Sequence, residues 1–191
     1  MKIVKGKAGY IKSQKKKRMI FTVLLFALSA AVFFTGYLTT HTRNNLLTIV
    51  AVLGCLPAAR QAVSWIVLLP YQTIEKEKEQ KLEEAAPLLV KAYDMVLTSR
   101  EKVMPVDVMV ISNHLVCGYV SRTKTDPSYT EAYIRRTLKE NHYEKITVKI
   151  FTDYKTFLGR AEGMNNIAAV EKKDNHRLEE SIKDIILTLA M

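Results

Sequence analysis

Two long apolar segments, separated by a short polar turn, constrain this chain more than any other feature. The first runs from Met19 to Leu38 without an ionisable side chain, and the second runs from about Leu46 to Leu69. About 20 helical residues cross the roughly 30 Å of hydrocarbon in a bilayer, and a helix satisfies its own backbone groups there. The sequence therefore predicts a transmembrane α-helical hairpin over residues 19–69.

A cleaved signal peptide is the competing interpretation of the first segment. The basic stretch, the apolar core and the small residues Ser29, Ala30 and Ala31 fit such a leader. However, the apolar run continues through residues 32–34 to full spanning length. This length favours an uncleaved membrane helix.

Basic residues at the front of the chain predict its orientation. Eight of the 29 basic residues lie in residues 1–18, among them Lys15, Lys16, Lys17 and Arg18, and this stretch holds no acid. Segments on the cytoplasmic side of membrane helices are enriched in Lys and Arg. We therefore expect a protein of a bacterial inner membrane that crosses it twice, with both termini in the cytoplasm.

The second apolar segment contains an arginine, and two arrangements remain open. Pro57 interrupts the segment and Arg60 follows it, although a charge at the bilayer centre costs at least about 2.5 kcal/mol. In the first arrangement the helix continues to about Leu69, and Arg60 lies in the inner half, either paired or extended to the interface. In the second, the crossing ends near Ala59 and the rest lies along the interface, anchored by Trp65. We favour the first arrangement.

The formal charge of +10 belongs to the front of the chain. Beyond residues 1–18, Arg43 and Arg60 lie in the hairpin, and the remaining 19 basic residues equal the 19 acids, which all lie from Glu75 onward. A DNA- or RNA-binding domain carries a concentrated basic patch, so this neutral composition argues against nucleic acid as a partner. The basic front instead predicts attraction to the anionic inner leaflet of a lipid bilayer.

These features divide the chain into four parts. Residues 1–18 form a basic cytoplasmic tail, residues 19–69 the hairpin, residues 70–86 a charged helical neck, and residues 87–191 a cytoplasmic domain. The neck is predicted because Glu and Lys recur at helical spacing. We expect it to be a solvated spacer, either continuous with the second membrane helix or bent at Pro70.

Apolar patterns predict the first elements of the cytoplasmic domain. A helix is expected from Pro87 to about Ser99, with a buried stripe of Leu89, Tyr93, Val96 and Leu97. Residues 106–112 and 115–121 are rich in strand-forming residues and flank the polar pair Asn113-His114. Two such runs around a tight polar turn predict a β-hairpin.

The second half of the domain contains three further helices and one strand. Asp126 and Pro127 suit the start of a helix, and the alternation in residues 146–152 predicts a third strand. Thr152 or Asp153 caps a helix that stops near Gly163, and a last helix runs from about Asn175 to Leu189. The predicted fold is a small α+β, or two-layer α/β, domain with a three-stranded mixed sheet.

Three charged residues suggest the most specific chemistry. Asp107, with Asp153 and Lys155, resembles the metal-dependent nuclease core of the restriction-endonuclease-like fold. In that family, carboxylates hold a divalent cation and a lysine positions the attacking water. The resemblance covers three residues, and it departs from the family because the acid-x-lysine should lie on the strand directly after the first acid. Asp153 is equally suited to capping a helix.

The histidines and cysteines do not form a recognisable metal-binding pattern. His114 and Cys117 lie three apart, whereas His142 and His176 are isolated, and a zinc site needs more ligands at compatible spacing. We expect His114 to be a turn residue and Cys117 a small buried side chain. Neither a metal nor a cofactor is predicted.

One stretch of the hairpin resembles a known group of proteins. Residues 53–60, Leu-Gly-Cys-Leu-Pro-Ala-Ala-Arg, follow a basic tail and a first apolar helix, as in uncharacterised two-helix membrane proteins of bacteria. That resemblance implies no activity. A membrane anchor joined to a neutral domain without a convincing catalytic set instead predicts a membrane-anchored domain, without enzymatic activity, that binds a protein or senses a cytoplasmic condition. The alternatives are a membrane-tethered, metal-dependent hydrolase or nuclease and an accessory subunit of a transport or envelope complex, in which Arg60 pairs with an acid.

Overall fold

The computed structural model describes residues 4–40, 46–122, 125–171 and 175–191. Its contacts divide the chain into two compact units. A helical unit holds residues 11–72, and an α/β unit holds the residues before and after it. The predicted turn between the apolar segments, with Arg43, lies outside the described residues.

The helical unit consists of α1 (Tyr10–Thr40) and α2 (Leu46–Leu68). Both helices are long and apolar enough to span a membrane. Polar side chains along α1 are satisfied by its own backbone, as Thr22 and Thr35 each donate a 2.8 Å hydrogen bond to the carbonyl one turn back. The basic stretch before Met19 is helical as well, because α1 begins at Tyr10.

Helix α2 continues through Pro57 to Leu68. It therefore runs past Arg60 without a break, as the first of the two arrangements requires. Small residues bring the two helices close together, since a Cβ on Gly54 would lie 2.9 Å from the Ser29 hydroxyl. Ser29 itself is buried.

The α/β unit contains a four-stranded mixed sheet and four helices. Its elements are α3 (Lys76–Ala85), β1 (Val90–Thr98), β2 (Val103–Ser112), β3 (Leu115–Tyr119), α4 (Pro127–Glu140), β4 (Thr147–Phe151), α5 (Tyr154–Glu171) and α6 (His176–Leu189). The strand order is β1-β2-β3-β4. The pairs β1–β2 and β2–β3 are antiparallel, and β4 runs parallel to β3. The connection from β3 to β4 passes through α4, as a parallel pair requires.

Apolar side chains cover both faces of this sheet. One cluster joins the sheet to α4 and α6, with Ile134, Leu138 and Ile182 fully buried. The other joins the opposite face to α3 and α5, with Leu82 and Phe157 fully buried. The prediction of two layers and three strands was therefore wrong, because helices lie on both faces of four strands.

The fourth strand is the segment predicted as a helix from Pro87 to about Ser99. Residues 90–98 form β1, which pairs with β2 along its length. Six consecutive residues, 92–97, are buried. A strand covered on both faces carries a continuous apolar run, and periodicity alone does not separate such a run from a buried helix.

Other elements match the sequence patterns more closely. The β-hairpin around Asn113-His114 is confirmed, and so are the helix that Asp126 caps and the helix that ends at Leu189. Helix α5, however, does not stop near Gly163 but continues to Glu171. The charged neck also differs from the predicted solvated spacer. Its helix, α3, is separate from α2, and Leu82 of α3 is buried in the apolar cluster on one face of the sheet.

Candidate functional site

The segments before and after the helical unit are both bound to the edge strand β1. The backbone N–H of Tyr93 donates to the Gly6 carbonyl at 2.8 Å. The N–H of Ile74 donates to Oδ1 of Asp94 at 3.1 Å. Because Tyr93 and Asp94 are neighbours, the chain leaves the α/β unit and rejoins it at one place on β1.

Residues 4–8, which we call the N-terminal strap, cover the outer edge of β1. Gly6 has φ +85°, and a Cβ there would lie 3.1 Å from the Leu187 side chain. A side chain at this position would therefore be strained by its backbone as well as crowded. The Lys5 ammonium donates to the Ala190 carbonyl, so the strap also contacts the C-terminal end of the chain.

The C-terminal residues cover the remaining part of the same edge. Ala190 forms an antiparallel bridge with Leu97, and the N–H of Met191 donates to the Val96 carbonyl at 3.0 Å. An uncovered strand edge would present unpaired backbone groups to other chains. Together, the two ends of the chain protect this edge of the sheet.

Asp94 is an unusual residue for the middle of a strand. It is 3% exposed and has φ +53°, a conformation in which Asp and Asn are enriched among residues other than glycine. Its carboxylate accepts the Ile74 N–H described above. Such backbone conformations persist where the surrounding structure holds them in place, as the returning chain does here.

A groove of about 710 Å³ lies beside the strap. Its walls include strap residues 4–8, Glu79 and Glu83 of α3, Lys91 and Tyr93 of β1, and Asp184 of α6. The Glu83 carboxylate accepts 2.7 Å bonds from Nζ of Lys91 and from the Tyr93 hydroxyl. These contacts join α3 to β1 at the floor of the groove.

Charges in this groove affect one another's protonation. Burial alone would raise the pKa of the Glu83 carboxyl, but the hydrogen bonds from Lys91 and Tyr93 outweigh it and lower that pKa. Burial, followed by the hydrogen bond to Glu83, raises the pKa of Tyr93. Burial and the nearby acids Asp94 and Glu83 raise the pKa of Glu79. The groove therefore holds a neutral phenol beside an ionised carboxylate at neutral pH.

The basic stretch of α1 contacts the end of α2. Nζ of Lys15 donates to the Leu69 carbonyl at 2.8 Å, and Nη1 of Arg18 donates to the Ser64 carbonyl at 3.1 Å. The C-terminal end of a helix carries a partial negative charge. Lys15 and Arg18 therefore stabilise the C-terminal end of α2, whereas Lys16 and Lys17 are exposed.

Arg60 lies on the exposed surface of α2. Arg60 is four residues before Ser64, whose carbonyl accepts the hydrogen bond from Arg18. At 1.5 Å per residue, it lies about 6 Å nearer the N-terminal end of α2. Its guanidinium has no hydrogen bond or ion pair with the part of the chain that the structure describes. Trp65, which follows Ser64, is half-buried.

The three residues of the predicted nuclease site are held in separate local structures. Asp107, on β2, accepts a hydrogen bond from the Ser121 N–H. Asp153 precedes α5 and accepts from the N–H and hydroxyl of Thr156, at 2.9 and 2.6 Å. These two bonds lower the pKa of Asp153. Lys155 is exposed on the first turn of α5.

Sheet geometry separates the two acids as well. Val108 pairs with Tyr119, and Tyr119 pairs with Phe151, so Asp107 and Asp153 lie at the same end of the sheet with β3 between their strands. Two strand spacings amount to about 10 Å. Strand β3, which directly follows the strand of Asp107, contains no acid and no lysine. Among the described residues, no three His, Cys, Asp or Glu side chains are grouped to hold a metal.

His114 and Cys117 also lie in different surroundings. Cys117 is 2% exposed on β3, and burial raises the pKa of its thiol. His114 is in the turn of the β-hairpin and lines a groove of about 460 Å³ together with His142, Tyr143 and Lys145. Both residues therefore have the structural positions that the sequence predicted.

Comparison of the chain with protein-family models, with curated proteins and with solved structures found no match. The strap and its groove were not identified from the sequence. Their partners are separated by more than 80 residues, as Gly6 and Tyr93 illustrate. The one local signal is Gly6 itself, a glycine among lysines where a positive φ is needed.

Proposed function

We propose that this protein is a membrane-anchored interaction module without enzymatic activity. Helices α1 and α2 cross the cytoplasmic membrane as a hairpin, and the α/β unit faces the cytoplasm, where it binds another protein or senses a cytoplasmic condition. The observation that carries this proposal is the attachment of both connecting segments to β1, at Tyr93 and Asp94.

This attachment supports the hairpin topology. A folded unit cannot include residues from both sides of a membrane, and the α/β unit includes the strap as well as residues 73–191. This supports a chain that enters and leaves the membrane on the same side. The basic residues of α1 support the cytoplasm as that side, since positively charged segments are retained there.

The strap groove is the surface that we assign to partner binding. Part of its wall is formed by the strap, which leads directly into α1, and the rest is formed by α3, β1 and α6 of the same unit. An occupant of the groove would contact both and would stabilise the strap on β1. Binding in the cytoplasm would thus be linked to the segment next to the membrane.

A site-specific photo-crosslinking experiment tests this assignment. A photoreactive amino acid is placed at Lys7 or Asp184, which line the groove, and at Glu162, an exposed residue of α5. We expect the two groove positions to give the same discrete crosslinked protein in cells, and the Glu162 position to give none. Equal crosslinking from all three positions, or none from the groove, would contradict the assignment.

The nuclease alternative is tested separately with the full chain. Asp107→Asn and Lys155→Gln would abolish any divalent-metal-dependent nuclease activity if these residues acted together. We expect no activity that depends on them, because Asp107 accepts a hydrogen bond from the Ser121 N–H, Asp153 accepts one from the Thr156 N–H, and the two strands are about 10 Å apart. Metal-dependent cleavage by wild type that both variants lack would overturn the proposal of a non-enzymatic module.

The exposure of Arg60 favours a second candidate, an accessory subunit that pairs Arg60 with an acid of another membrane helix. A boundary arginine is replaceable by lysine, because both side chains extend to the interface. An arginine that forms a two-pronged pair with a carboxylate is not replaceable by lysine, because lysine lacks the planar guanidinium group. We expect Arg60→Lys to insert and function as wild type. Loss of a co-purifying membrane protein on this substitution, with normal insertion, would favour the subunit.

A further inference from the structure

We propose that Lys12, Lys16 and Lys17 form a binding surface for the phosphate groups of anionic lipids, whereas Lys15 and Arg18 hold the two helices of the hairpin together. This inference rests on the proposed membrane insertion. The orientation argument counts every basic residue of this stretch alike. The present inference assigns these residues two different roles.

Hydrogen bonding separates the two groups of side chains. Lys15 and Arg18 each donate to a carbonyl at the end of α2, at 2.8 and 3.1 Å. Both are partly buried. Their charges are opposed by the partial negative charge of the helix end, so they are less available to lipid.

The other lysines face outward on α1. Lys12, Lys16 and Lys17 are exposed. Residues four apart lie on the same helix face, so Lys16 stands directly above Ile20 and Lys17 above Phe21. Ile20 and Phe21 are 50% and 61% exposed. Lys16 and Lys17 therefore lie on the same exposed faces of α1 as the apolar side chains that would contact the bilayer.

Helix geometry places these lysines at the depth of lipid headgroups. Lys16 and Lys17 are three and two residues before Met19, the first residue of the apolar run, a distance of about 3–5 Å along the helix axis. The polar layer on each side of a bilayer is about 5–7 Å thick. Lys12 lies about 10 Å from Met19, a few ångströms outside that layer. Long lysine side chains reach phosphates from all three positions.

Spin-labelled lipids measure this selectivity directly. The full chain is reconstituted in phosphatidylcholine vesicles that contain a trace of spin-labelled phosphatidylglycerol or phosphatidylcholine. Electron paramagnetic resonance then gives the fraction of each label that is immobilised by the protein. We expect wild type to prefer phosphatidylglycerol, by about fivefold for each lysine near the surface at low salt. High salt should reduce the preference.

Substitutions assign the preference to particular residues. The pair Lys16→Gln and Lys17→Gln should remove most of it, and the pair Lys16→Arg and Lys17→Arg should retain it. The pair Lys139→Gln and Lys145→Gln, at exposed positions of the α/β unit, removes the same charge and should have no effect. Lys15→Gln should keep most of the preference, because Lys15 is bound to α2.

Failure of this inference is distinguishable from failure of membrane insertion. Trp65 is the only tryptophan of the chain, so its emission reports whether the hairpin is inserted. If Trp65 emits as in water and no lipid is immobilised, the proposed membrane insertion is wrong. If lipid is immobilised without preference, or if the Lys16→Gln and Lys17→Gln pair keeps the preference, the lipid surface is overturned and insertion stands.

Discussion

Asp153 has a structural role that is visible at the scale of one residue. Its carboxylate accepts two hydrogen bonds from Thr156 and so satisfies a backbone N–H in the first turn of α5. Local geometry thus accounts for an acid that, in the sequence, could equally belong to a nuclease.

Substitution of Asp153 separates the two roles. Asn is as good a cap as Asp, whereas Ala is a poor one, so Asp153→Asn should keep the melting temperature of wild type and Asp153→Ala should lower it. Thermal unfolding of the full chain measures both. A catalytic or metal-binding carboxylate would show a different pattern, with loss of activity in both variants and little change in melting temperature.

Glu83 predicts a pH dependence at the same scale. Its pKa is lowered in the folded chain, so the stabilisation that it contributes is complete above the ordinary value of 4.5 and is lost as the pH falls through the lower folded value. Between about pH 6 and pH 3, wild type should therefore lose more stability than Glu83→Gln. Thermal unfolding over this range measures the difference.

The control for this pH dependence is Glu101→Gln, at an exposed position. That variant should follow the wild-type curve. If Glu83→Gln also followed it, the hydrogen bonds from Lys91 and Tyr93 would not contribute to stability in solution.

At the scale of elements, the success of sequence patterns depended on how each element is buried. Helices α4 and α6 bury one face each, with Ile134 and Leu138 or Ile182 and Ile186 at helical spacing, so their periodicity is visible. Strand β1 is covered on both faces, and its sequence shows no alternation. Contacts with neighbouring strands, and not the local sequence of β1, therefore determine the conformation of this segment.

The last helix provides a quantitative test of the core. Ile182 is fully buried and Val170 is 82% exposed. Ile182→Ala should destabilise the α/β unit by about 2–5 kcal/mol, and Val170→Ala should change its stability by less than about 0.5 kcal/mol. Hydrogen exchange of the β2 amides, which are at the centre of the unit, measures this free energy. A small effect of Ile182→Ala would mean that α6 is not packed as described.

At the scale of the whole molecule, the apolar helices were predictable and the strap was not. Length and hydrophobicity are properties of a local segment, so residues 19–38 and 46–69 identify their own helices. The contact of Gly6 with Tyr93 joins distant parts of the chain. Apart from Gly6, no local pattern indicates such a contact, and the four-part division of the sequence therefore left residues 4–8 in the basic cytoplasmic tail.

The central claim is that the strap and the α/β unit lie on the same, cytoplasmic side of the membrane. Single cysteines are introduced by Lys7→Cys in the strap, Lys145→Cys in the α/β unit and Arg43→Cys between the two helices. The background lacks Cys55, and the native Cys117 is buried. Each variant is treated with a membrane-impermeant maleimide in right-side-out and in inverted membrane vesicles.

We expect the cysteines at positions 7 and 145 to react only in inverted vesicles, and the cysteine at position 43 only in right-side-out vesicles. This result follows from a two-crossing hairpin whose flanking segments meet on β1. Reaction of positions 7 and 145 from opposite faces would contradict the account, because the strap could not then be bound to the α/β unit.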